Sequence, residues 1–582
     1  MTTGMREADA RSGLGLLIRT LARYRVDLVL SIGGALLWMA MVVAVPYLVG
    51  RVIDRAITGD AHESLGTLVL VLIGAGVLLG VGVGLRRYFS FKVSYGAEVD
   101  LRKRMFEHMQ RLAFSFHDVT STGELMARAS SDLSQVRLIY AMTPITVANL
   151  GMFLCVVVVL IVVDPILGGV VSLTVPAVLF LSRSYARRVI RISYELQQRL
   201  ADLSRVVEES IGGIQVIKSY GQEAQEQDKL DGAAERIFDR GVGLARIRSR
   251  YAPMFELMPS IATIAVLWLG GFRVVAGHIT LGQFVAFTQY LAMLNFPLRI
   301  SGWFFAQLPR ATAAASRIQT LLAEDPAIAD PADPVTLPPG RGEVRFRDVG
   351  FAYPGGRPVL RGLELTIPGG TSLAVVGATG SGKTTLAHLV PRFRDVDSGA
   401  ITLDGVDVRT IGLDELRREV AVVFQETFLF SASVRGNIAF GDPEATDEQI
   451  RLAARLAQAH DFITDLPAGY DTIVGERGHS LSGGQRQRVA LARAVVRDPR
   501  VLILDDATSS VDAVVEAEML AALEQVMRGR TTIIIAHRTS TLAIVDHVVF
   551  LDEGRVAAMG THAELLATVP RYGEVLAQEA AR

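Results

Sequence analysis

Gly377–Thr385 reads GATGSGKTT, with Gly377, Gly382, Lys383 and Thr384 at the fixed places of the pattern G-x-x-x-x-G-K-[ST]. An apolar, strand-like run, SLAVV (Ser372–Val376), leads into it, and LAHLV (Leu386–Val390) leads away with helical character. In that setting the stretch acts as an anion cradle. The backbone N–H groups of Gly377, Ala378, Thr379, Gly380, Ser381 and Gly382 line a nest, and the next helix turns its positive end to the same point. Lys383 then reaches the β- and γ-phosphates of a nucleotide, Thr384 offers a hydroxyl to Mg²⁺, and Thr385 closes the stretch. A chance glycine-rich turn before a helix is the plain alternative, and the rest of the chain decides against it.

Downstream, VLILDD (Val501–Asp506) reads as a buried parallel strand with two carboxylates at its end. Asp505 is placed to hold Mg²⁺, and Asp506 to orient or deprotonate an attacking water. Between the two motifs lies LSGGQ: Leu481, Ser482, Gly483, Gly484 and Gln485, running into the helical RQRVALARAVV. It repeats the logic of the phosphate loop, small residues at a helix start that offer N–H groups to an anion. Two anion-binding turns in one domain suggest nucleotide sandwiched between two copies of it. Upstream, Tyr353 is an aromatic near the loop that can stack on a base, with a core or edge ring as the alternative.

Further out the composition changes. The chain of 582 residues is 50% hydrophobic with net charge −1, so no basic field points to nucleic acid. The single Cys155 excludes an internal disulfide framework. The first residues show no secretory signal pattern. Mean hydropathy is +0.34, and the excess lies before residue 306. Six apolar stretches there, about 26–50, 65–86, 138–163, 165–182, 252–276 and 281–305, each approach the ~20 residues that cross a bilayer. Short connectors follow the first, third and fifth. Long segments rich in Arg and Lys, about 87–137 and 183–251, follow the second and fourth. The positive-inside rule places those segments and both termini in the cytoplasm. Their helical periodicity continues the spans into the cytosol, with reversals near Phe116-His117-Asp118 to Gly123 and near Ile211 to Tyr220. These tips are either docking elements or plain surface loops. Residues 1–24 read as an interfacial amphipathic helix. Glu256 and Arg299 fall at similar depth near the inner interface, as snorkelling charges or as a pair at a cavity mouth. The proline-rich, acidic AEDPAIADPADPVTLPPGRGE marks a linker.

The motifs, in order and over essentially the whole chain, resemble those of the ATP-binding cassette superfamily, in particular exporter-type half-transporters. The resemblance implies a membrane all-α six-helix transmembrane domain with long cytosolic extensions. An α/β P-loop ATPase domain with a helical subdomain follows. It divides the chain into an elbow helix at 1–24, a transmembrane domain at 25–310, a linker at 311–342 and a nucleotide-binding domain at 343–582. The reversals near 117–123 and 211–220 become coupling helices seated on nucleotide-binding domains. The implied cofactors are ATP and Mg²⁺. Tyr353 matches the adenine-stacking aromatic, Gln425 the glutamine that senses the γ-phosphate and Mg²⁺, and Asp505 the Mg²⁺ aspartate. Leu481–Gln485 matches the signature that closes on a partner's nucleotide, and His537 the switch histidine. TIVGERG (Thr472–Gly478) resembles the exporter contact loop, and SSVD (Ser509–Asp512) the dimer-interface loop.

One position departs from the pattern. The family normally has Glu after the Mg²⁺ aspartate, and here Asp506 stands there. Its carboxylate is retracted by ~1.5 Å, one C–C bond, and ~1 Å of misplacement costs about a hundredfold in rate. The implied assembly is a heterodimer with a second half-transporter. This chain would hold a degenerate ATP site and lend an intact signature to a competent one; a homodimer is the alternative. The resemblance points to export of hydrophobic or amphipathic compounds, drugs or lipids, through a bacterial cytoplasmic membrane, with import of lipids or siderophores as the rival direction.

Overall fold

The computed structural model describes residues 3–58, 62–475, 478, 480–506, 513–536 and 538–580. The chain forms two compact units, Met1–Met109 with Gly123–Ala323, and Gln110–Thr122 with Glu324–Arg582.

The first unit is helical. Its elements are α1 (Thr3–Arg23), α2 (Arg25–Thr58) and α3 (His62–Arg111), whose last turn passes into the second unit. After the short helices α4 (Phe114–Val119) and α5 (Thr122–Ala127) come α6 (Leu133–Val163), α7 (Pro165–Gly212), α8 (Ile214–Tyr220), α9 (Glu223–Val275), α10 (Leu281–Met293) and α11 (Asn295–Leu322). Among the described residues, four helical stretches, Arg25–Ala56, Leu65–Arg111, Thr122–Val163 and Glu223–Val275, are long and apolar enough to cross a membrane. At 1.5 Å per residue the 50 residues of α3 and the 53 of α9 run to about 75–80 Å, well beyond a ~30 Å hydrocarbon layer. Met152, Val156 and Leu160 of α6, Leu167 and Val171 of α7, Val266 of α9 and Phe287 of α10 form a buried cluster. Polar groups fasten the short connectors. Asp164, 1% exposed, caps α7 by accepting from the Ile166 and Leu167 amides and pairs with Arg273 at the end of α9. Asp54 accepts from the Thr280 hydroxyl at 2.6 Å and the Gly282 amide at 2.7 Å.

The sixth apolar stretch breaks at Leu294 into α10 and α11. Pro297 has no N–H for the carbonyl four residues before it. A linker from 311 is corrected: α11 continues to Leu322, because Ala311, Ala314, Ala315, Ile318 and Leu321 recur at helical spacing and are buried. The irregular segment starts at Ala323. Glu256 is exposed, and the Arg299 side chain lies outside the described residues.

In the second unit, β1 (Val344–Ala352), β2 (Pro358–Ile367), β4 (Ser398–Leu403) and β5 (Val406–Asp407) form an antiparallel sheet in the order β2-β1-β4-β5. A second sheet is built from β3 (Ser372–Val376), β6 (Val420–Val423), β7 (Val501–Asp505), β8 (Thr531–Ile535), β9 (His547–Asp552) and β10 (Arg555–Gly560). Its order is β10-β9-β3-β8-β7-β6, parallel except for β10 on β9. Strand side chains alternate between faces. Leu373, Val375, Ile503 and Ile533 accordingly join the core that also contains Phe346 and Ile401 of the antiparallel sheet. Ala374, Val376, Leu502, Leu504 and Ile534 join the opposite core. That second core is covered by α14 (Val434–Ala439), α15 (Asp447–Leu456), α16 (His460–Thr464), α17 (Gly483–Val495) and α18 (Ala513–Met527). Two further helices, α12 (Lys383–Leu389) and α13 (Leu413–Glu419), precede them.

Candidate active site

Ligands of open parallel sheets collect beyond the carboxyl ends of the strands. The order β3-β8-β7-β6 lines up four such ends. The phosphate-loop residues leave β3, Asp505 ends β7 and Asp506 follows it, and Gln425 lies two residues past β6. His537, which follows β8 by two residues, lies outside the described residues, as do Glu476, Arg477 and Ser509–Asp512.

The loop is held by its glycines. A Cβ on Gly377 would meet the Leu551 carbonyl oxygen at 2.2 Å and Ser381 Oγ at 2.6 Å. Gly382 has φ +104°, which L side chains rarely adopt. Ser381 Nα donates to Ala378 O at 3.0 Å, and Lys383 Nζ reaches back to the carbonyls of Gly377 and Ala378, the latter at 3.3 Å. Lys383 is 7% exposed, whereas Thr379, Gly380 and Thr384 face solvent. The buried Ser381 hydroxyl has no hydrogen-bond partner. A buried unpaired hydroxyl is costly. Beside the Lys383 ammonium and the loop amides, it completes a donor set that fits a phosphate.

Asp505 and Asp506 are 5% and 7% exposed. Asp506 stands at φ +48° in the left-handed region, where a short carboxylate side chain is among the better tolerated. Its Oδ2 accepts from Gln425 Nε2 at 3.2 Å, so two of the expected reaction-site residues meet directly. Tyr353 donates to or accepts from Thr385 Oγ1 at 3.0 Å, which sets its ring beside the loop. The LSGGQ stretch is a helix start. Ser482 caps α17 in a reciprocal box with Gln485, the Ser482 amide donating to Gln485 Oε1 at 3.0 Å. Leu481 and Gly484 are buried, Ser482 is exposed, and α17 packs on α14, α15 and β6.

The reversal near residue 117 was expected as a docking element; the sequence reading passed over the residues that meet it, Phe393, Arg394 and Phe424. Gln110–Thr122 belongs to the same compact unit as the sheets. Phe114 of α4 stacks on Phe393 with centroids 4.5 Å apart, and Phe393 stacks on Phe424, next to Gln425, at 6.0 Å. Asp118 pairs with Arg394. His388 lies 5.8 Å from both Phe393 and Phe424. Burial, then the nearby Arg394 charge, hold its imidazole below the ordinary value, with Asp118 pulling the other way. The aromatic tip at Phe116-His117-Asp118 was the visible signal; its counterpart after α12 carried none.

The geometry defines a bundle of membrane-length helices joined to a phosphate-loop nucleotide-binding domain. The family description "ABC transporter transmembrane region" matches residues 28–298, and "ABC transporter" matches residues 360–509. A multidrug efflux ATP-binding/permease protein of Mycobacterium tuberculosis is 37% identical over 554 residues, covering 95% of this chain. The chain spans about half, 46%, of that relative's length. An ATP-dependent lipid A-core flippase of Thiobacillus denitrificans is 37% identical over 555 residues, 94% of each chain. The solved structure of a bacterial Atm1-family ABC exporter with ATP bound superposes with a TM-score of 0.77 at 28% identity, covering 96% of this chain and 99% of the other. The chain belongs to the ABC transporter family, with a helical membrane domain followed by an α/β ATP-binding domain.

Proposed function

We propose that this chain is one half of an ATP-driven exporter of hydrophobic or amphipathic compounds. The observation that carries the reading is the inclusion of Gln110–Thr122, the connection between two membrane-length helices, in the compact unit of the ATP-binding domain. Such a link is what converts closure over nucleotide into rearrangement of the helices. The relatives named for multidrug efflux and lipid A-core flipping support the cargo class. So does the surface of Leu, Val, Ile and Phe that the long helices expose.

In this reading Lys383 and the loop amides hold the phosphates, and Tyr353 stacks on the base. Thr384, Gln425 and Asp505 would hold Mg²⁺, which when bound neutralises the charge of the β- and γ-phosphates. Gln425 and Asp506 orient water, and His537 takes the γ-phosphate side. Leu481–Gln485 offers the α17 N-terminus to the nucleotide of a second half. The exposed Ile214, Val216 and Tyr220 of α8 and the exposed Phe428, Phe430 and Phe440 are apolar patches that crosswise docking between two halves would cover. Because Asp506 is one methylene short of Glu, the second half is a different chain and hydrolysis falls mainly under this chain's signature.

The test is flux. The full chain, with its partner half, is reconstituted in lipid vesicles and ATP-dependent movement of ethidium and of a headgroup-labelled phospholipid is followed. Transport that requires ATP and is lost in Lys383→Ala is expected. Equal flux with and without ATP, or in Lys383→Ala, overturns the reading.

A further inference from the structure

Arg394 does two things at once. Its guanidinium carbon lies 4.7 Å from the centroid of the Tyr353 ring, and its Nη2 donates to the Asp118 carboxylate of α4. The side chain is only 12% exposed, against 54% for Asp118. The turn that carries it is firmly built. Arg392, at φ +53°, pairs with Asp395 through Nε at 2.8 Å and through Nη2 at 3.2 Å, and donates to Ala329 O at 3.3 Å. Phe393 is seated on Phe114 and Phe424. A guanidinium presents a flat face to an aromatic ring and a rim of N–H groups to a carboxylate, and both uses are made here together. The ring it covers is also fixed at its hydroxyl, on Thr385 of the phosphate loop, and at its edge, against Phe351 at 5.2 Å.

We propose that Arg394 is a positioning residue that ties the base-stacking ring to the membrane-connected reversal. Asp118 fixes the plane of the guanidinium, and the guanidinium fixes the tilt of the Tyr353 ring. When α4 is seated the ring is held ready for a purine, and when α4 shifts the ring loses one of its three supports. The coupling is reciprocal by necessity, so a base on Tyr353 strengthens the seating of α4. The guanidinium thus senses the base, while the phosphates report through Lys383 and the strand ends. This inference rests on the reading of Tyr353 as the base-stacking residue.

The experiment compares binding of ATP with binding of inorganic tripolyphosphate, which has no base, by the full chain in lipid nanodiscs. Asp118→Asn is expected to weaken ATP about two- to fivefold, the range of a cation–π contact oriented by a partly exposed ion pair. Tripolyphosphate binding stays the same, because the loop is untouched. Arg394→Lys, which keeps the charge but loses the flat fork, gives the same loss for ATP. Asp118→Glu restores wild-type affinity. In an Arg394→Gln background, Asp118→Asn adds nothing. Equal weakening of ATP and tripolyphosphate, no change with either Asp118→Asn or Arg394→Lys, or additive losses in the double variant overturns the proposal. Tyr353→Ala separates the two levels. If it leaves ATP affinity unchanged, the base-stacking reading falls and the link with it. If it weakens ATP while Arg394 and Asp118 act additively, the link alone falls.

Discussion

Truncating Phe393 to Ala probes the seat of α4 directly. The ring is half-buried, stacks on Phe114 at 4.5 Å and on Phe424 at 6.0 Å, and lies 5.8 Å below the Arg417 guanidinium. An aromatic pair contributes about 0.5–1.5 kcal/mol beyond burial, and the pair that breaks when α4 opens is Phe114 with Phe393, the Phe393–Phe424 pair being kept in both states. Full burial of Phe is worth about 3–5 kcal/mol against Ala, and a half-buried ring gives up the lower part of that range or less. Taking about 2 kcal/mol as the loss and 1.4 kcal/mol per tenfold, α4 opens roughly 30 times more often. Hydrogen–deuterium exchange of the full chain in nanodiscs reads this out, because local opening sets amide exchange. Peptides covering Phe114–Val119 should exchange about 30-fold faster, with β3 and β7 unchanged. Exchange of that segment within about twofold of wild type would refute the argument that Phe393 seats the reversal.

Gly377→Ala brings a methyl to 2.2 Å from the Leu551 carbonyl, which the β9 backbone cannot yield cheaply, so ATP binding should weaken about tenfold or more; a Kd within twofold contradicts it. Asp506→Glu lengthens the carboxylate, yet in the purified chain alone ATP turnover should stay within about threefold, and a gain of about tenfold or more would mean two self-paired sites and remove the two-chain reading. His388 has its folded pKa held below its unfolded value of ~6.5, chiefly by burial. Between those values the unfolded chain binds more protons, so the contribution is full above about 6.5 and is lost as pH falls through the window below it. Thermal-aggregation midpoints should therefore drop between pH 7.5 and 5.5 by less in His388→Leu than in wild type, and parallel curves would contradict the linkage.

The strands that carry the site were legible because a buried parallel strand is a continuous apolar run. SLAVV and VLILD could be little else, and each delivers its loop where a phosphate or a metal would need it. The membrane-length helices were legible for the same reason of bulk hydrophobicity. What could not be read were pairings between distant residues. The left-handed turn at Asp506 needs the Ile535 carbonyl in place, since the Asp506 amide donates to it at 3.2 Å. The continuation of α11 to Leu322 was hidden because ATAAASRIQTLL carries small residues whose burial depends on α1 lying against them. Arg394 and Phe393 sit in an ordinary-looking turn, and only the fold brings Phe114 and Asp118 to them.

The discontinuous make-up of the second unit has a consequence in time. Phe393 follows Phe114 by 279 positions, and β8 follows β3 by about as many as separate two ordinary domains. At roughly 5–20 residues per second, a ribosome needs about 15–55 s after making the first aromatic to make its counterpart. Through that interval Phe114 lacks the ring it stacks on in the finished fold. Seating of α4 through Phe114 therefore waits on synthesis of residue 393.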